Sequence, residues 1–301
     1  MLSPDSALTP YVLGVVLATL LAFMTVRAVR KDRREYGRFK RMRATSRRQK
    51  MFRKWVRESF ITFGGSAVVV LALVWQFIPL FLDAVNRWTF VTDARRTFAD
   101  SGALGVGLVV GFAAALVVGT LLVVVLARKE TEVASVGDVQ ALLPRNRAEL
   151  RYGAALAINA GVVEELLFRL ALPALVFGLT RSAVAAVVVS IVVFALLHVY
   201  QGVAGIVGAL VIGTLLMAVY LATGSILVAI VVHALFDLRS LVLIPIVVFG
   251  VHKELGNGKS AAPVAKPEAA AVAKPVRTAV PDPLLGSTTV AADHPGPDDR
   301  P

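Results

Sequence analysis

The chain has 301 residues, 57% of them hydrophobic and only 17% charged, yet its formal net charge is +12 and its mean hydropathy +0.74. A charged fraction well below the roughly one quarter of soluble domains excludes an ordinary soluble globule, and the absence of cysteine excludes a disulfide scaffold and thiolate chemistry. A chain both apolar and basic has the composition of a membrane protein whose cations sit in its loops.

Crossing a hydrocarbon layer of about 30 Å takes about 20 apolar residues in a helix. Seven runs qualify as candidate spans: Tyr11–Val26, Phe60–Leu82, Gly102–Ala127, Gly153–Leu179, Ala183–Gln201, Val203–Ala222 and Ser225–Gly250. The fold class expected is therefore all-α, a polytopic membrane helix bundle of about seven transmembrane helices. Asp5 is the only charge before Arg27, so the first run lacks the basic leader of a secretory signal and reads as a span.

Between Arg27 and Arg57 stand fifteen Lys or Arg against only Asp32 and Glu35. Cations beside spans mark the cytoplasmic side. That rule places the N-terminus outside, the loop from Arg27 to Glu58 in the cytoplasm, the loop at Asp93–Asp100 outside, and Arg128–Arg151 and the C-terminus in the cytoplasm. The expected location is an integral, multi-pass cell membrane protein, of a bacterial plasma membrane. The Arg27–Arg57 loop is expected to meet anionic lipid head groups. Tyr36, Phe39, Phe52 and Trp55 form no nucleic-acid motif among these charges, so no nucleic-acid partner is expected.

Very short loops after the fourth, fifth and sixth runs make the second half a compact antiparallel bundle. From about Glu254 the sequence turns to Ala, Pro, Lys, Asp and Gly, a composition that cannot bury a core and reads as a disordered tail. The expected organisation is 1–58, a span with a basic loop; 59–152, two spans and a connecting loop; 153–250, a four-helix core; and 251–301, the tail.

Ionisable residues inside spans are costly, at about 2.5–3.5 kcal/mol each near the bilayer centre, and tend to be paired or functional. Here they are Glu164, Glu165 and Arg169 in GVVEELLFRL, His198 in FALLHVYQG, and His233 and Asp237 in HALFDL. Glu165 and Arg169 are four apart in the favourable order for a same-face ion pair. Glu164 is turned about 100° away and needs another partner, which His198 and the His233/Asp237 face could supply. Counted at 1.5 Å per residue, Glu164, His233 and Asp237 overlap near mid-membrane and His198 lies nearer the cytoplasmic end. A water-filled pocket open to the cytoplasm would unite them. His252 and His294 lie beyond the bundle, and Gly205, Gly208 and Gly213 read as close helix packing.

The EExxxR of Glu164–Arg169, the FxxxH of Phe194–His198 and the HxxxD of His233–Asp237, in this order, resemble the motifs of the CPBP intramembrane proteases, the CAAX proteases and bacteriocin-processing enzymes also called the Abi family. The resemblance covers Gly153 to Gly250. It implies an intramembrane endopeptidase in which Glu164 activates water, Glu165 and Arg169 support it, and His198 and His233 stabilise the tetrahedral intermediate or hold a metal. Asp237 stands where members often have Asn. An ionised Asp cannot donate to an oxyanion as Asn can, so Asp237 fits better as an orienter of His233 or as a metal ligand.

Two mechanisms stay open at this point: a metal-free glutamate mechanism, and a zinc site built from Glu164, His198, His233 and Asp237. The substrate expected is a membrane-proximal peptide or protein, prenylated or not. Two other functions compete, a catalytically silent scaffold or immunity protein of the same fold and a proton-relaying transporter. The transporter lacks the paired inverted repeats with broken helices expected of one.

Overall fold

A computed structural model of the chain describes residues 3–102, 119 and 140–253. The expected third span, apart from Gly102 and Gly119, and the expected tail from Glu254 lie outside the described residues, which contain helices and no strand. The protein is an all-α membrane bundle. Four helical stretches among the described residues are long and apolar enough to cross a membrane: Thr9–Lys40, Thr45–Val74, Ala183–Thr223 and Ile226–Val247.

Helix α1 (Thr9–Val26) forms the first expected span, with Pro10 in its first turn, where a missing N–H costs nothing. The basic segment that follows is helical rather than an open loop. It passes through a π-helical stretch into α2 (Arg33–Lys40), turns, and returns as α3 (Thr45–Ser59). The aromatic residues of this hairpin are its core: Phe39 packs on Phe52 and Trp55 with ring centroids 5.1 and 4.7 Å apart. Its base is a fully buried ion pair, Arg48 Nε lying 3.0 and 3.1 Å from the two carboxylate oxygens of Glu149. The remaining guanidinium donors of Arg48 go to the carbonyls of Ala141 and Leu143. A charge so deeply buried is tolerable only when paired and hydrogen-bonded in this way.

The second expected span is broken into α4 (Gly65–Val74) and α5 (Phe77–Val85) by a turn at Trp75 and Gln76. A short amphipathic helix, α6 (Thr89–Asp100), follows, and Arg95 on it donates to the carbonyl of Leu221.

Helix α7 (Arg147–Glu165) begins two turns earlier than the apolar run, because Asn146 caps it by accepting from the Glu149 N–H at 3.1 Å. A π-helical stretch, Leu166–Ala171, leads on into α8 (Leu172–Thr180). Glu164, Glu165 and Arg169 interrupt this helical stretch, so it lacks the long apolar window that each of the four contains. The 41-residue stretch Ala183–Thr223 would be about 60 Å long if straight, twice the hydrocarbon thickness. It instead reverses at Gly202, whose φ is 78°, giving α9 (Ala183–Leu197) and α10 (Gly202–Thr223). Helix α11 (Ile226–Leu238), capped by Ser225, continues through Arg239–Leu243 into α12 (Ile244–Val247).

Two glycines bring α7 and the last helical stretch into backbone contact. A Cβ on Gly161 would lie 3.0 Å from Ala234, and one on Gly153 would lie 2.9 Å from the Leu241 carbonyl. This close approach carries His233 to α7.

Candidate active site

Glu165 is fully buried and its carboxylate is shared. Oε2 lies 3.0 Å from Arg169 Nε, and Oε1 accepts from His233 Nδ1 at 2.7 Å. The same-face pairing expected from sequence is present. The partner His233 finds on α7 is Glu165, however, and not the Glu164 for which the helix spacing had it available. The reason is the register fixed at Gly161 and Ala234, which sets His233, next to Ala234, against Glu165, one turn along α7 from Gly161.

Arg169 is also anchored to a third helix. Its Nη2 donates to the Gly213 carbonyl at 3.2 Å, and its guanidinium lies 4.7 Å from the centre of the Phe194 ring. Gly213 makes room for that ring, since a Cβ there would come within 2.8 Å of it. Ser190 on α9 donates to the Phe168 carbonyl inside the π-helical stretch. Such stretches recur at functional sites because they re-aim side chains, and this one directly follows the Glu pair.

Glu164 faces a different way, into a cavity of about 140 Å³. Its wall includes Glu164, Phe168, Phe194, His198 and Tyr200 from the second half of the chain, and Arg27, Tyr36, Trp55 and Ser59 from the first. Glu165, Arg169, His233 and Asp237 are not part of this wall. His198 Nδ1 donates to the Phe194 carbonyl at 2.8 Å. A carbonyl only accepts, so Nδ1 carries the proton and Nε2 of the neutral ring carries a lone pair. Asp237 stands 3.8 Å from His233 Nε2, beyond hydrogen-bond range. His252 makes no contact with the cavity wall.

Glu164 stands about 24 Å along the helical stretch from Thr180, and His198 about 22 Å from the end of α9 at Ala183. Gly64, where the basic hairpin gives way to apolar α4, packs on Val163.

The donors do not fit a zinc site. Among the described residues no three His, Asp or Glu side chains gather as a ligand cluster. Cavity residues that sequence reasoning did not single out are Arg27, Tyr200 and the aromatic residues of the hairpin. Only Tyr200, two positions after His198, carried a signal in its placement.

Residues 146–239 match the family described as type II CAAX prenyl endopeptidase Rce1-like. The matched segment is similar to an Rce1-like domain. This domain spans α7 to α11 and contains all three motifs, which bears out the resemblance read from EExxxR, FxxxH and HxxxD. The match supports, at the level of the family, a membrane-embedded peptidase of CAAX-protease type. No curated protein and no solved structure matches the chain.

Proposed function

We propose that the protein is an intramembrane endopeptidase that cleaves a membrane-proximal peptide or protein with a water activated by Glu164. The observation that carries this reading is the division of labour between adjacent carboxylates. Glu165 is consumed by Arg169 and His233, whereas Glu164 shares a cavity wall with His198. In the proposed step Glu164 takes a proton from water as the water oxygen adds to the scissile carbonyl. As the C–N bond breaks, that proton passes to the leaving nitrogen. His198 Nε2 accepts a hydrogen bond from the same water and aims it. His233, held between Glu165 and Asp237, acts as a positioning residue that fixes α11 against α7. No metal enters the step.

The basic hairpin and the cavity mouth face the cytoplasm in this reading, with the N-terminus outside. Exposed Arg30, Arg33 and Arg34, just past the apolar end of α1, are placed to meet anionic head groups. The test is cleavage of membrane-proximal peptides by purified protein in micelles. Glu164→Gln is expected to abolish turnover while the fold is retained. Wild-type turnover in that variant overturns the role of Glu164, and a folded wild-type protein that cleaves nothing favours the scaffold. The natural substrate is sought by comparing the proteomes of cells carrying wild-type and Glu164→Gln protein.

A further inference from the structure

Peptide hydrolysis builds negative charge on the carbonyl oxygen, and the site must offer donors to it. The motif histidines supply none in their neutral forms. His198 spends its single N–H on the Phe194 carbonyl. His233 spends its Nδ1–H on Glu165 and does not line the cavity. Arg169 is directed at Glu165 and the Gly213 carbonyl, outside the wall.

Tyr200 differs from all of these. It lines the same cavity as Glu164 and His198, on the short 3₁₀ turn His198–Gln201 that ends α9. Its ring stacks beside His198, with centroids 6.1 Å apart and planes inclined by 25°, and Tyr36 meets it edge-on at 5.5 Å. Gln201 Nε2 donates to the phenol oxygen at 2.8 Å. The hydroxyl thus has its acceptor capacity engaged while its own proton meets no acceptor among the described residues. A phenol that accepts from one side is a better donor on the other, since successive hydrogen bonds polarise one another.

We infer that Tyr200 is a catalytic residue whose hydroxyl donates to the carbonyl oxygen of the scissile peptide as it becomes an oxyanion. Gln201 is the positioning residue that turns the hydroxyl. The inference rests on the proposed hydrolysis and extends it, adding a donor to the base and the water-aiming imidazole. It also accounts for Asp237 at the position where an amide donor is frequent in this family, since the donor is provided from α9 instead of α11.

The experiment compares wild-type, Tyr200→Phe and Gln201→Leu proteins in micelles on one cleaved peptide, alongside a peptide phosphonate that mimics the tetrahedral intermediate. Tyr200→Phe keeps the ring and its packing, so Tm is expected to hold within about 2 °C. Removing one oxyanion donor costs about 10²–10³ in rate, and kcat is expected to fall by about 10²-fold with KM changed less than threefold. Phosphonate affinity should fall in parallel with kcat/KM, because a donor used in the transition state is read by its analogue. Gln201→Leu, which frees the hydroxyl to turn, should lower kcat about tenfold. A Tyr200→Phe protein with kcat within threefold of wild type, or with phosphonate affinity unchanged, overturns the inference while the hydrolytic reading stands. Absence of cleavage by the wild-type protein fails the hydrolytic reading itself.

Discussion

Glu149→Gln is the most searching perturbation of the fold, because it leaves shape nearly unchanged and removes one charge from a fully buried pair. Both oxygens of Glu149 receive Arg48 Nε, one of them also receives the Arg145 backbone N–H, and neither partner is exposed. After the substitution the Arg48 guanidinium keeps its charge, its contact with the Phe39 ring at 4.2 Å and its two carbonyl acceptors, but no counter-charge. Breaking one side of a buried pair costs about 3–5 kcal/mol. At about 1.4 kcal/mol per tenfold, the folded population relative to the unfolded should fall by about two to three and a half powers of ten. The measurement is equilibrium unfolding in mixed micelles, with a double-mutant cycle through Arg48→Met and Glu149→Leu. The double variant should be less damaged than the sum of the singles, because it strands no charge. Asn146→Ala, which removes the α7 cap and the hydrogen bond to Thr45 Oγ1, should cost about 1–2 kcal/mol and serves as the scale. A loss below about 1 kcal/mol for Glu149→Gln, or strict additivity in the cycle, refutes the account of Arg48–Glu149 as the base of the hairpin.

The adjacent carboxylates should separate in one pair of variants. Glu165→Gln is expected to lower stability by about 3 kcal/mol by stranding Arg169, whereas Glu164→Gln should leave the unfolding midpoint within error while abolishing turnover. Gly161→Leu should force α11 off Ala234, lower stability by about 1–3 kcal/mol and loosen His233 from Glu165, read as lost activity together with a shifted histidine resonance in NMR. Dialysis against a strong chelator, with metal content checked by elemental analysis, should leave turnover unchanged. A loss restored by zinc would overturn the reading that the cavity donors form no ligand set.

The site residues were legible because lipid makes charge conspicuous. In spans whose only other charged residue is Arg239, Glu164, Glu165, Arg169, His198, His233 and Asp237 stand out, and helix spacing already pairs Glu165 with Arg169. The partner of His233 was not legible. Whether His233 meets Glu164 or Glu165 depends on the register of α11 on α7, which the Gly161–Ala234 contact sets and single-helix periodicity does not contain. The basic segment was read correctly as charge but not as architecture. Its folding depends on Arg48 finding Glu149, about a hundred residues away in sequence, and on aromatic residues that pack on one another rather than on a ligand. The start of α7 was not legible for a related reason: the apolar run begins at Gly153, but α7 begins at Arg147 and its first turn packs on the hairpin.

The cavity wall is drawn from both halves of the chain. Glu164, His198 and Tyr200 lie within residues 146–239, while Arg27, Tyr36, Trp55 and Ser59 lie far upstream of them. Under the proposed hydrolysis the reacting groups lie in one stretch of sequence and a large part of the enclosure around them in another. Substitutions in the hairpin can remodel which chains gain admission without touching a reacting group, and changes in the motif helices can retune the reaction without altering admission. Two proteins with the same three motifs but unrelated N-terminal halves would then share a reaction and differ in diet.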